Sequence, residues 1–468
     1  MPRILTLATA FILAGCTVGP DYQQPDLNPP AAFVSQDVLS LLNQDRTDAG
    51  LPVRWWTGFH DPTLDTLVQQ GLNNSPAVSA AAARVRQFEA NVRLNAAADD
   101  PLIDVSAGPD ISERIDLGDG GSETSTGLSA ALGVLWPFDV FGQTRRNTQS
   151  ARAALEAAQA DFEDIILSVS AQIAAEYLQL RGNQRQLELL RESVELQEKT
   201  LSIVQSRFKF GIAPELDLQR AITSVENLRA DIPPLEQALI QSKNRIATLS
   251  GAYSGQLDTP ISSDGDIPGY NTLIPEYLPF DVINQRPDVS FAEAALKQAV
   301  AEIGVAEAEF YPAFQINGGL VLSAAGGSGI SAAETLIASL AAVIDHTLFD
   351  SGRRAANLDI AEAQADEALF EYRQTVLLAV EEVEAALSDL KASRERQQPL
   401  EKAVTASNRS FQQAEILYRE GLISFLDVVD AQRVLASAKQ QLARERTQYA
   451  VLITVLFESL GVPVESGV

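Results

Sequence analysis

The sequence predicts a mixed, mainly α-helical chain that lends four β-strands to a trimeric, twelve-stranded membrane barrel over a long α-helical coiled-coil tunnel. Three observations point there. A stretch from Gly142 to Gly251 occurs again from Gly352 to Gly461, in phase and without insertion. Each copy is preceded by two segments whose apolar residues recur at every second position. Four such strands cannot close a membrane barrel, and an open edge in lipid leaves backbone groups unpaired.

The repeat is sparse in identity but constant in phase. Gly142 matches Gly352, Asn147 matches Asn357, Ala151 matches Ala361 and Leu167 matches Leu377, each numbered 210 apart. Phe208-x-x-Gly211 matches Tyr418-x-x-Gly421, and Leu216-Asp217 matches Leu426-Asp427. A period this long means duplication of a structural unit, not a solenoid. Ahead of these stretches, Pro76-Ala77-Val78-Ser79 matches Pro287-Asp288-Val289-Ser290 and Pro101 matches Pro312, now 211 apart. The duplicated unit is therefore helix, strand hairpin, long helix, turn and returning helix.

In chain order, residues 1–15 read as a secretory signal. Arg3 is the basic start, and the apolar run Ile4 to Leu13 is too short for a permanent span. The run ends Leu13-Ala14-Gly15-Cys16, which looks like a bacterial lipobox with Cys16 as the acylated residue. A plain signal with an incidental cysteine is the bland alternative. Thr17, where an aspartate would retain such a protein at the inner membrane, favours the outer membrane. Residues 16–50 form a lipidated tether, proline-rich and polar from Asp21 to Pro30. The N-terminal helical segment is 51–100. Trp55 and Trp56 begin it, Asp61 and Pro62 supply an N-cap and a first helical residue, and Leu64, Leu67 and Val68 make one apolar face. From Pro76 to Ala98 the chain is alanine-rich and helical.

The first β-hairpin occupies 101–140. Ile103, Val105 and Ala107 alternate with polar and small residues, and after a polar loop, Ser112 to Thr126, so do Leu128, Ala130, Leu132, Val134 and Trp136. Pro137 near the end of that strand loses a ladder bond and predicts a bulge. Segment 141–251 is the first long helical hairpin. Between Thr144 and Phe210 there is no proline and a single glycine, Gly182. At 1.5 Å rise per residue such a helix spans roughly 100 Å. Leu187, Leu190, Val194, Gln197, Leu201, Val204 and Phe208 keep a heptad phase, the seam of a left-handed coiled coil; an ordinary antiparallel bundle fits the same residues. Breaks are expected at Gly182, at Pro233-Pro234 and at Pro399. The equatorial linker 252–286 holds Pro260, Pro268, Pro275 and Pro279 and is expected to be irregular. A helix at 287–311 and the second β-hairpin at 312–350 follow, with Phe314, Ile316, Gly318, Leu320 and Leu322, then Leu336, Ala338, Leu340, Ala342 and Ile344, on one face. Gly326 to Gly329 lies between them as a turn. The second long helical hairpin is 351–461, and 462–468 is a tail.

Composition removes several classes of function. The formal net charge is −27, which argues against nucleic acid and anionic lipid head groups as partners. The sole cysteine forbids an intrachain disulfide, and the two histidines, His60 and His346, supply neither a metal site nor a catalytic triad. No phosphate-binding loop or dinucleotide fingerprint occurs. The chain reads as no enzyme, with no cofactor beyond a covalent lipid on Cys16. Aromatic residues gather where strands meet helices, at Trp136, Phe138 and Phe141 and at Phe310, Tyr311, Phe314 and Phe349. A membrane girdle and the plugged end of a soluble sandwich both fit them. Two chains give eight strands, a barrel filled by its own side chains, whereas three give twelve and an appreciable bore.

Several short runs, taken in order, resemble the TolC-like outer membrane factor family in its lipoprotein branch serving resistance-nodulation-division efflux pumps. They are Cys16 through Tyr22, Trp56-x-x-Phe59-x-Asp61-Pro62, Phe138-Asp139-Val140-Phe141-Gly142 and Gln285-Arg286-Pro287-Asp288-Val289. Leu348 through Arg354, and Tyr418 through Arg433, complete them. The resemblance implies a homotrimer in outer membrane lipid, a periplasmic adaptor and an inner-membrane pump of the resistance-nodulation-division type as partners, and no nucleic acid. It implies a gate at Leu426 and Asp430, with Asp427 on the adjoining helical turn. It also implies adaptor contacts at the tips, centred on Phe210, Gly211 and Ile212 in the first copy and on Glu420, Gly421 and Leu422 in the second. Leu417 stands where relatives can carry a basic residue, which puts an ion-pair latch there in doubt. The function implied is the outer-membrane exit duct of a tripartite efflux pump. A duct for protein or peptide secretion and a non-conducting periplasmic scaffold are the alternatives.

Overall fold

The computed structural model describes residues 17–35, 37–38, 54–115, 122–257, 261, 265–274, 277, 279–326 and 333–464. The signal at 1–15, Cys16, the glycine-rich turn after Gly326 and the last four residues of the tail lie outside them. A 3-10 turn at Trp55–Phe59 opens the body. Helices α1 (Pro62–Asn74) and α2 (Pro76–Ala96) follow, then strands β1 (Leu102–Ile115) and β2 (Ser122–Phe138). Next come α3 (Gln143–Lys209), α4 (Glu215–Ala230), α5 (Ile232–Leu249), α6 (Pro279–Gln285) and α7 (Pro287–Ala308). Strands β3 (Ala313–Gly326) and β4 (Ala333–Asp345), then α8 (Arg353–Arg419) and α9 (Phe425–Ser459), complete the chain.

The duplication is visible element by element. Helices α3 and α8 are both 67 residues long and start at positions numbered 210 apart. The glycines that bound them match as well: Gly142 and Gly352 have φ of 89° and 88°, Gly211 and Gly421 have 74° and 77°, and Gly251 and Gly461 have 69° and 65°. Only glycine takes that region without strain, so these six positions fix where each long element ends.

One compact unit comprises residues 1–26, 84–159 and 291–373. Its four strands form one antiparallel sheet in the order β1-β2-β3-β4. The registers place Val105 opposite Leu132, Leu132 opposite Leu320, and Leu320 opposite Ala338. An apolar row thus crosses all four strands on one face, while Asp104, Gly133, Gly319 and Ser339 form the adjacent row on the other. Both hairpins pair further into their loops than the sequence suggests, because ladder bonds continue through the polar residues to Ile115 and Ser122. The expected bulge at Pro137 is absent. Trp136, Pro137 and Phe138 pair without slippage with Ile316, Gln315 and Phe314, beyond the point where β1 has stopped pairing at Leu102. Phe141 stacks on Tyr311 at 4.6 Å.

The same unit holds the start of the chain firmly, so its first described residues are no loose tether. Buried Arg146 donates from Nε to Val18 O at 2.9 Å, from Nη2 to Gly19 O at 2.8 Å and from Nη1 to Asp21 at 2.9 Å. Tyr22 donates to Glu293 at 3.0 Å.

The other unit, residues 27–83, 160–290 and 374–468, carries the main core. Trp55 stacks on Phe457 at 5.3 Å and meets Trp56 edge-on, and Phe59 and Tyr270 complete the aromatic cluster. Leu64, Leu67 and Val68 are fully buried in it. Asp61 caps α1, accepting from Thr63 N and Leu64 N, and its second oxygen accepts from Tyr177 Oη at 2.7 Å.

Three expectations about helix breaks come out differently. Asp231 does separate α4 from α5, with the proline pair in the first turn of α5. Gly182, however, lies inside unbroken α3: a Cβ there would stand 2.3 Å from Thr447 Oγ1, so the glycine serves a close helix approach. Pro399 lies inside unbroken α8 on its exposed side, where one lost helical bond is tolerated. The linker is also less irregular than expected, because α6 forms within it.

Candidate functional site

Both long helices end in the same turn. Gly211 N donates to Phe208 O at 2.9 Å and Ile212 N to Arg207 O at 2.8 Å. In the second copy Gly421 N donates to Tyr418 O at 3.0 Å and Leu422 N to Leu417 O at 2.9 Å. This 5→2 and 6→1 pair is a Schellman motif, and it projects the residue after each glycine away from the helix. Phe210, Ile212 and Leu422 are 78%, 68% and 70% exposed. Glu420 is exposed as well. Large apolar groups left open at two matching turns make a surface suited to a protein partner.

The turns share a small core behind them. Val204, Ala221, Phe411, Ala414, Tyr418, Phe425 and Val428 are buried together. The Arg207 guanidinium lies 4.5 Å from the centre of the Tyr418 ring, which links the two copies at this end.

The three gate candidates sit on the first turns of α9. Leu426, Asp427 and Asp430 are all exposed. Asp427 is engaged locally: its Oδ2 accepts from Ser424 N at 2.9 Å and from Ser424 Oγ at 2.7 Å, closing a capping box. The Ser424 hydroxyl, then its backbone N–H, hold the Asp427 carboxyl below the usual carboxylate range. Asp430 pairs with Arg433 at 2.8 Å. Only Leu426 points out with no polar business of its own. The spacing Ser424-x-x-Asp427 is a capping signal in the sequence that the gate reading passes over. The first copy cannot cap in this way, because Pro214 stands where Ser424 stands and has no N–H or hydroxyl.

A second constellation has no counterpart among the sequence-predicted sites. Arg286 is buried and donates to Ser459 O, to Asp288 and to Glu382, each at 2.7 Å. Gln285 Nε2 donates to Leu460 O at 2.6 Å, and a Cβ on Gly461 would meet Arg286 Cγ at 2.6 Å. The run Gln285-Arg286-Pro287-Asp288 therefore ties off the end of α9. Asp164 and Glu458 face the same group, and burial pushes both carboxyls up. Among the described residues no cluster of His, Cys, Asp and Glu is built to hold a metal, and no helix is long and apolar enough to cross a membrane.

The family model described as outer membrane efflux protein matches the chain twice, over residues 67–252 and 278–462. The chain belongs to the outer membrane efflux protein family. The two matched segments fall on the two copies of the duplicated unit. This efflux protein is 31% identical to Nodulation protein T of Rhizobium leguminosarum bv. trifolii over 461 residues, 98% of this chain and 97% of that one. It is 30% identical to the toluene efflux pump outer membrane protein TtgC of Pseudomonas putida, over 98% and 95% of the two chains. Among solved structures, the outer-membrane channel OprN superposes with a TM-score of 0.87 at 33% identity, covering 95% of this chain and 99% of that one. The fold class is that of the outer-membrane efflux channels, mainly α with a membrane β-barrel to which each chain gives a four-stranded sheet. The protein acts in efflux at the outer membrane, from where it reaches into the periplasm.

Proposed function

We propose that three copies form a passive exit duct for drugs or other small molecules, anchored by lipid on Cys16. A periplasmic adaptor grips the tips at Phe210, Gly211, Ile212, Glu420, Gly421 and Leu422. An inner-membrane pump of the resistance-nodulation-division type supplies the energy, and this chain performs no catalysis. The observation that carries the reading is the sheet: one face is apolar, the other is polar and small, and β1 and β4 are free edges. Free edges in lipid need partners of the same kind. The gate lies at the start of α9, where Leu426 and Asp430 narrow the way. Asp427 holds the helix start in shape through its cap on Ser424, and so keeps Leu426 in position.

Single-channel recording in planar bilayers tests the duct and its gate together. The native protein gives rare or small conductance steps, and Leu426→Ala with Asp430→Ala makes openings longer and more frequent. Silence from both proteins would leave the scaffold reading in possession.

A further inference from the structure

Helix α7 is seated on the first turns of α3. Lys297 Nζ lies 3.1 Å from Glu156 Oε2, and Ser150 Oγ donates to Glu302 at 3.2 Å. A Cβ on Gly304 would meet the Arg146 side chain at 2.7 Å. Ala294, Leu296, Ala299 and Ala301 of α7 are buried in this seat. By the duplication, α2 is the counterpart of α7 and α8 of α3. The equivalent residues of α2 are Ala83, Val85, Phe88 and Ala90, and none of them is buried. On α8, Phe370 is exposed where Ala160 of α3 is buried. The seat is written twice in the chain and filled once. The sheet tells the same story, since β2 meets β3 inside it while β1 and β4 stay open.

We infer that a second copy of the chain fills the empty seat: α2 of the next copy lies on α8 as α7 lies on α3, and β1 of that copy pairs with β4 in the register of β3 with β2. The inference rests on the oligomeric reading above and adds to it a surface and a register. Opposed residues of β2 and β3 have numbers totalling 452, as in Val134 with Gly318. The ladders β1–β2 and β3–β4 fix the carry from β1 to β3 at 211 and from β2 to β4 at 210. The total between copies is then 451. Ile344 stands opposite Ala107 of the next copy, and Leu340 opposite Ile111.

Two independent features agree with that register. All four of these side chains are exposed in the single chain, and all belong to the apolar face; a slip of one residue would set Leu340 against the polar face. The ion pair Lys297–Glu156 carries over to Arg86 and Asp366, which have the same signs. Both are exposed and neither makes an ion pair among the described residues. Arg146 and Gly304 carry over to Ala356 and Arg93, so a long cation again faces a small residue, with sides exchanged. Such head-to-tail contacts close into a ring when the rotation per copy allows it.

Cysteine pairs in the full chain, oxidised in isolated outer membranes, test the register. Ile344→Cys with Ala107→Cys is expected to give covalent multimers, and each single variant controls for Cys16. Ile344→Cys with Val105→Cys or with Pro109→Cys are diagonal pairs at ~7–8 Å, beyond the reach of a disulfide, and are expected to give little product. Strongest crosslinking in a diagonal pair, or none in an intact oligomer, overturns the register and leaves the oligomer standing. A monomer on sizing in detergent, with no crosslink anywhere, overturns both. Where strand variants fail to reach the membrane, Arg86→Cys with Asp366→Cys and a short bis-maleimide decides: multimers support the seat, and their absence in an intact oligomer refutes it.

Discussion

At the scale of single residues, the Arg286 knot shows how one buried cation organises a chain end. It gathers Asp288, Glu382 and the carbonyl of Ser459, yet Asp164 and Glu458 crowd the same place. Burial first, then the negative charge of Asp164, raise the Glu458 carboxyl above its ordinary range, against the hydrogen bond from Ser168. A carboxyl raised in the folded state binds its proton more tightly there than when unfolded. Stability is therefore lost as pH rises from the ordinary carboxylate value through the raised one. Glu458→Gln keeps an acceptor for Ser168 and removes the charge. The variant should melt higher than the native protein at about pH 8 and no higher at about pH 4, below the ordinary carboxylate range. An equal difference at both values, by differential scanning fluorimetry in detergent, would show that packing rather than protonation is responsible. None of this is legible in the sequence, because Arg286 and Ser459 lie 173 positions apart. Asp61 is the contrary case. Its cap depends on the next three residues, and those stand in plain view beside Pro62.

Whole elements follow the same division between local and distant causes. The long helices, their glycine turns and the alternation of the strands are readable, because helix periodicity, a required positive φ and a period of two are local properties. The tips are legible for that reason. Gly182 and Pro399 are not, because helix propensity treats each as a statement about its own helix. Gly182 is a statement about α9. In an exposed helix, replacing glycine by alanine gains about 1 kcal/mol. Here the new methyl group meets Thr447 Oγ1 at 2.3 Å and Cγ2 at 2.4 Å, and Thr447 is itself buried. Overpacking of that kind costs about 1–3 kcal/mol, which outweighs the gain. Gly182→Ala should therefore lower the melting temperature, and Thr447→Ala in the same chain should recover part of the loss. A rise for the single variant would mean that the two helices part more easily than their contacts imply.

On the scale of the whole molecule, charge is the property that no single element explains. The chain holds 62 acidic and 35 basic side chains. Many acids are spent locally, as Asp427 is on Ser424 and Glu195 on Lys199, yet the excess of −27 remains. The faces that meet lipid cannot carry it, and the apolar rows of the sheet do not. It is left to surfaces that meet water, including the face of the sheet that bears Asp104 and the exposed helix starts that bear Asp427 and Asp430. A water-filled duct lined in this way raises the local concentration of cations and excludes anions, over a range set by the Debye length, ~10 Å at 0.1 M salt. The open duct should therefore be cation-selective. Under a gradient of potassium chloride across a bilayer, its reversal potential should move toward the potassium equilibrium value and relax toward zero as both sides are made more concentrated. A reversal potential on the chloride side would place the acidic excess outside the conducting path and leave selectivity to a few residues at the gate.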